Sequence, residues 1–236
     1  MVDEAQPRDP TPADLTNMTD RQTLPDREYI AEQTAAVSEP APPAIVAHSD
    51  FDPDDVDWLV PAQPEHVIIA EPDPAWPERF RGLEARIRDA LGEAALAIEH
   101  VGSTSVPGMP AKPIIDIDLT VADSRDEGAY AAALEDAGFV FVLRERNWHE
   151  HRLFTNAEPR ANIHVWGSDQ AEAVRHRMLR DWLTEHADDR ELYATAKRAA
   201  AAPTADDPEL VQAYNQRKEP VIREILDRMF RAHGLL

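Results

Sequence analysis

The chain has 236 residues, enough for one full-cored domain plus extra segments. Its 24 basic and 45 acidic side chains leave a net charge of −21, which excludes a general nucleic-acid coat or an anionic membrane surface as the main partner. Cysteine is absent, which excludes disulfides, zinc-thiolate sites and thiol catalysis; no apolar run approaches the ~18 residues of a membrane span, so the expectation is a cytoplasmic protein.

Residues 1–60 read as a disordered acidic N-terminal arm, with 14 acids, 3 arginines and no sustained apolar period. A short helix fits Asp26–Val37, and FDPDDVDWLV (51–60) reads as a solvated linker with one docking turn, with docking on a partner or covering part of its own domain as the alternatives. An arm of this charge suits recruitment of a basic partner, which is one hypothesis for the protein's role. The ordered domain is expected over 65–232. HVIIA (66–70) reads as a strand. Trp76, Phe80, Leu83, Ile87 and Leu91 then recur at helical spacing and Gly92 stops the helix. Strands follow at 95–101 and 114–121, then a helix from Asp123 or Ser124 to about Ala137, ended by Gly138. Three further strands are expected at 139–145, 151–156 and 162–167, then helices over 169–186, 188–201 and 207–232. Interleaved strands and helices followed by a helical run give an α+β (α/β) core with a C-terminal helical extension. Only three basic residues are lysine, Lys112, Lys197 and Lys218; low lysine with high acid, alanine and proline fits a GC-rich genome or a salt-loving host.

The chemistry-bearing stretch is HVGSTSVPGMPAKPIIDIDLTV, residues 100–121. Asp116 and Asp118 lie two residues apart on a strand and share a face, an arrangement that costs energy unless something positive binds them. A divalent cation holding nucleotide phosphates is the natural occupant. Gly102 and Ser103 follow the preceding strand, where glycine lets backbone N–H groups approach an anion and serine adds a donor. Lys112 is extended by Pro113 and can reach a triphosphate. His164 lies on the 162–167 strand as a possible ligand, base or phosphate contact. Arg180 is a candidate phosphate clamp. Arg144, Arg146 and Arg152 are weaker candidates for the same cleft. His100 reads as a hydrogen-bonded, half-buried histidine. Tyr193 with Lys197 and Tyr214 with Lys218 stand at i, i+4, which same-face packing explains without a ligand. His149, Glu150 and His151 read as a solvated hairpin tip.

The spacing Gly-Ser, twelve residues, Asp-Ile-Asp resembles the nucleotidyltransferase superfamily. Residues 100–117, HVGSTSVPGMPAKPIIDI, are similar to the HIGSTAVPGLAAKPIIDI block of one branch, the GrpB family. The likeness runs on through NIHV (162–165), MLRDWLTEH (178–186) and the two Tyr–Lys helices, covering about residues 66–230. It implies a nucleotidyltransferase-like mixed β-sheet flanked by helices. It also implies Mg2+ (or Mn2+) on Asp116 and Asp118; on the residue readings above, a nucleoside triphosphate would then meet Gly102, Ser103, Lys112 and Arg180, with His164 the third member of the catalytic set. The implied reaction is nucleotidyl transfer to a small molecule, a protein or an RNA end. The superfamily's usual third carboxylate is missing, with Asn162 and His164 on the neighbouring strand instead. That departure keeps open a nucleotide-binding, regulatory or scaffolding module without full catalysis. Relatives fused to dephospho-CoA kinase suggest such a role, although no GxxxxGK[ST] loop occurs in this chain.

Overall fold

The computed structural model describes residues 42–205 and 207–236; the helix expected over 26–37 lies outside them. Its centre is a six-stranded sheet of β1 (Val56–Trp58), β2 (Ala97–Val101), β3 (Ile115–Val121), β4 (Val140–Glu145), β5 (His151–Asn156) and β6 (Ala161–Gly167). The order is β1-β4-β5-β6-β3-β2. Only β3 and β6 run parallel, which makes the sheet mixed and the fold α+β.

The period of two assigns the two faces different tasks. Ile115, Ile117, Leu119 and Val121 of β3 join Ile163, Val165 and Phe154 on one face, under α2 (Trp76–Leu91) and α3 (Ala131–Asp136). Trp76, Leu83 and Ile87 are the buried positions of α2, as their spacing predicts. The other face carries Asp116, Asp118, Asn162, His164 and Trp166, because Asp116 pairs with Asn162 and Asp118 with His164. Helix α4 (Ala171–Glu185) lies over the β2–β3 side of this second face. Helices α5 (Ala187–Ala201) and α6 (Val211–Ala232) complete the layer. Leu183 of α4, Tyr193 of α5 and Ile225 of α6 pack on Val106 and Met109 of the loop between β2 and β3. The C-terminal helices thereby hold the loop that carries Gly102 and Ser103. Among the described residues no helix is long and apolar enough to cross a membrane.

Three expectations are corrected. Residues 42–60 are an ordered strap: α1 (Pro42–Val46) places Ile45 against Ala171, Met229 and Phe230, and β1 adds a sixth strand to the edge of β4. FDPDDVDWLV therefore covers its own domain. Residues 66–70 form no strand; single bridges stand at Glu65–Glu209, just before them, and at Ala70–Ala111, their last residue. Their alternation is explained by Val67, which packs on Ala200, Ala201 and Tyr214, while Ile68 faces solvent. The helix expected to begin at 123 or 124 is shortened to α3, because a single 3-10 turn over 127–129, entered from Asp126, comes first.

Candidate functional site

Gly102 begins the site. Its φ of +65° suits glycine, and a Cβ there would lie 2.4 Å from Asp116 Oδ2. The turn over 103–105 is thus pressed against the second face of β3, as the sequence spacing suggests. The Ser103 hydroxyl meets the Tyr193 phenol of α5. Thr104 is buried, hydrogen-bonded to His100 at 3.0 Å and to the Ile114 carbonyl at 3.3 Å. His100 stacks on Phe80 at 4.7 Å, and burial pushes its pKa down to about 4, with Asp116 opposing and Arg180 reinforcing. It is the neutral, hydrogen-bonded histidine expected from its place.

The three lysines of the chain meet beside this turn. Lys197 Nζ stands 4.8 Å from the centre of the Tyr193 ring, and Lys218 Nζ 5.8 Å from the same ring. Lys112 and Lys218 each stand 5.5 Å from the Tyr214 ring. These distances suit cation–π contact. Lys197 is 2 % exposed and donates to the Pro110 carbonyl. Burial lowers its pKa to about 7, with Lys218 and Arg198 adding to the fall and Asp116 resisting it. Burial also lowers Lys112 and Lys218, and Asp116 pulls against it at both. Lys112 has Glu65 at 3.9 Å, while among the described residues Lys197 and Lys218 make no salt bridge. Three lysines thus gather around two phenol rings, with Asp116, Glu65 and Glu219 as the carboxylates that act on them. The i, i+4 pairs do pack on one another, as their spacing suggests, and they also bring the two Tyr–Lys helices to one place.

The two aspartates differ in their surroundings. Asp116 is about one third open, its side chain 30 % exposed; it accepts from Asn162 Nδ2 at 2.8 Å and has His164 Nε2 at 3.9 Å. Burial raises its pKa, yet His164, Asn162 and Lys112 outweigh that and hold it below the usual carboxylate range. Asp118 is 1 % exposed. Trp166 Nε1 donates to it at 2.8 Å, and His176 Nδ1 of α4 lies 2.9 Å from Oδ2. Burial opposes charge on His176, but Asp118, then Glu172 and Asp116, overcome it and raise the pKa to about 9. An imidazolium therefore already neutralises Asp118.

That arrangement does not fit a two-metal centre. Among the described residues no group of three or more His, Asp or Glu side chains is placed to hold a metal ion. The one open carboxylate, Asp116, has an amide and an imidazole for neighbours, and the second carboxylate is closed by His176 and Trp166.

Other expected residues stand elsewhere. Arg180 binds Asp181 at 2.8 Å, Glu99 at 3.0 Å and the His100 carbonyl at 3.1 Å, so it clamps α4 to the end of β2. Arg144 and Arg152 project from the opposite face to Glu145 and His151, because the pairs Arg144–Arg152 and Glu145–His151 alternate along the β4–β5 ladder. Both converge on Glu127 and, with Arg125 and Arg146, line a separate cavity of about 590 Å³. The hairpin tip is also corrected. His149 and Glu150 have φ of 54° and 50° and form the turn itself, which aims His151 inwards at 3 % exposure. Its Nδ1 lies 2.7 Å from Glu145 Oε2 and its Nε2 3.0 Å from His164 Nδ1. His176, missed from the sequence, was traceable as the middle of Glu172, His176 and Arg180, which share one face of a helix at i, i+4, i+8.

The model of the family described as GrpB protein matches residues 66–228. The chain belongs to the GrpB family. This GrpB-family chain is 43 % identical over 162 residues to UPF0157 protein BH1888 of Halalkalibacterium halodurans, covering 69 % of this chain and 82 % of that one. It is similar to a dephospho-CoA kinase of Mycolicibacterium paratuberculosis, 32 % identical over 69 % of this chain but 46 % of the kinase. Among solved structures it resembles the conserved protein GrpB from Enterococcus faecalis, with a TM-score of 0.59 and 27 % identity over 69 % of this chain and 99 % of that one. The strap, 42–60, lies outside the matched family region.

Proposed function

We propose that this GrpB-family protein binds a phosphate-rich ligand, in the first instance a nucleoside triphosphate, in the lysine–tyrosine cage beside Asp116. The reading is carried by one observation: all three lysines of a strongly acidic chain gather on Tyr193 and Tyr214, next to the Gly102–Ser103 turn. Binding on this reading needs no divalent cation, since His176 supplies the positive charge at Asp118. The matched region is one part of relatives named dephospho-CoA kinases, which favours a regulatory or scaffolding use of such a site. Titration calorimetry with ATP, the other three triphosphates and pyrophosphate, each in chelator and in Mg2+, tests it. The expected result is binding in chelator, weakened about tenfold or more in Lys218→Met. No heat with any of these ligands sinks the proposal.

Nucleotidyl transfer with Mg2+ or Mn2+ to a small-molecule, protein or RNA acceptor is the second reading. The closeness of Gly102 to Asp116 favours it, and it requires His176 to leave Asp118. A labelled product that depends on the metal and disappears in Asp116→Asn would establish it.

A further inference from the structure

Glu145, His151 and His164 stand on neighbouring strands, on the face that holds Asp116. Glu145 pairs with His151, and Leu153, two residues on, pairs with His164. The steps are 2.7 Å from Glu145 to His151, 3.0 Å from His151 to His164 and 3.9 Å from His164 Nε2 to Asp116. His151 lies against Trp148 at 5.4 Å and stacks on Trp166 at 4.4 Å, and these rings shut water out of the middle of the path.

A neutral imidazole has one N–H and one lone pair, so each link fixes the next. With Glu145 ionised, it accepts from His151 Nδ1–H. His151 Nε2 is then a lone pair and accepts from His164 Nδ1–H. His164 Nε2 is left as a lone pair facing the Asp116 carboxylate across 3.9 Å. With Glu145 protonated every link reverses, and His164 Nε2–H donates to Asp116, the state in which His164 holds the Asp116 pKa down; with Glu145 ionised, Nε2 is an acceptor open to the hydroxyl of a ligand.

We propose that Glu145, His151 and His164 form a proton relay, with His164 Nε2 as the atom that takes a proton from a hydroxyl of a ligand held against Asp116. The O–H bond breaks and its electron pair stays on oxygen. The proton passes to His164 Nε2, the His164 Nδ1 proton to His151 Nε2, and the His151 Nδ1 proton to Glu145 Oε2. One proton has moved from ligand to Glu145, and both imidazoles end neutral in the opposite tautomer. Burial raises Glu145 to about 7, with His164 opposing and Asp55 assisting, which suits a group that stores a proton near neutrality. The other charged or titratable groups around the path are Asp55 on the strap, His149 and Arg152 on the hairpin, Glu172 and His176 on α4, and Asp118 on β3. Glu145 and His151 are positioning residues here; His164 alone touches the ligand.

The relay rests on the phosphate-site reading only for what brings the hydroxyl. Its test uses the full chain without ligand, so its failure leaves the lysine cage standing, and failure of the cage leaves the relay readable. Long-range 1H–15N spectra of the histidine rings report each tautomer between about pH 5.5 and 8.5. The expected result is that His151 and His164 invert together as Glu145 titrates, and that Glu145→Gln removes the inversion. A His164 tautomer that stays constant in the unmodified chain, or that inverts equally in Glu145→Gln, overturns the proposal. Should the variant not fold, the unmodified chain decides alone.

Discussion

Gly102 shows how one missing methyl group permits a site. An alanine there brings a Cβ to 2.4 Å from Asp116 Oδ2 at a φ of +65°. Overpacking and the left-handed backbone together should cost about 2–4 kcal/mol. Gly102→Ala is expected to lower the denaturation midpoint accordingly and to abolish pyrophosphate binding; wild-type stability would contradict the contact. Lys197 gives a second prediction. Its ammonium is half lost at about pH 7, and an anion binds the protonated form. Affinity for pyrophosphate should therefore be full below about pH 6 and fall by up to tenfold per unit above 7, a trend that Lys197→Met flattens. Calorimetry across pH checks both. Single residues were legible where a local period fixed them. Asp116, Asp118 and His164 share a face because a strand alternates. The partner of Asp118 was not legible, because His176 arrives from a helix 58 residues further on. His151 was misread because the turn is made by His149 and Glu150, two consecutive non-glycine residues at positive φ, with no glycine to mark it.

At the scale of elements, α2, β2 to β6 and the three C-terminal helices follow from periodicity and from glycine and proline stops. β1 did not, since three residues inside an acidic segment have no period to read, and its pairing is supplied entirely by β4. The strap has a definite task. Asp55 accepts from Asn147 N at 3.0 Å, Asn147 Nδ2 at 2.6 Å and Trp148 N at 3.0 Å, and so braces the hairpin that delivers His151. Asp55→Ala should speed amide exchange at Asn147 and Trp148 while the β3–β6 amides stay protected, at a cost of about 1 kcal/mol. Uniform protection across the hairpin in the variant would show that the strap does not brace it.

For the whole molecule, a net charge of −21 works against compactness. Raising salt from about 0.1 to about 1 M shortens the screening length from ~10 to ~3 Å and should raise the melting temperature by several degrees. A melting temperature that falls with salt would mean that ion pairs such as Arg144–Glu127 outweigh the general repulsion. The charge total is read directly from the sequence, whereas the gathering of the few lysines is not, since it depends on how α5 and α6 dock against the loop before β3.

That gathering has a practical side. Amine-directed acylation has only three lysine side chains to report on in this protein, all around the same two rings, with Lys197 reached only when the site opens. A reagent of that kind becomes a footprint of a single locality, and any metabolite that shields it from modification identifies itself by mass spectrometry before its chemistry is known.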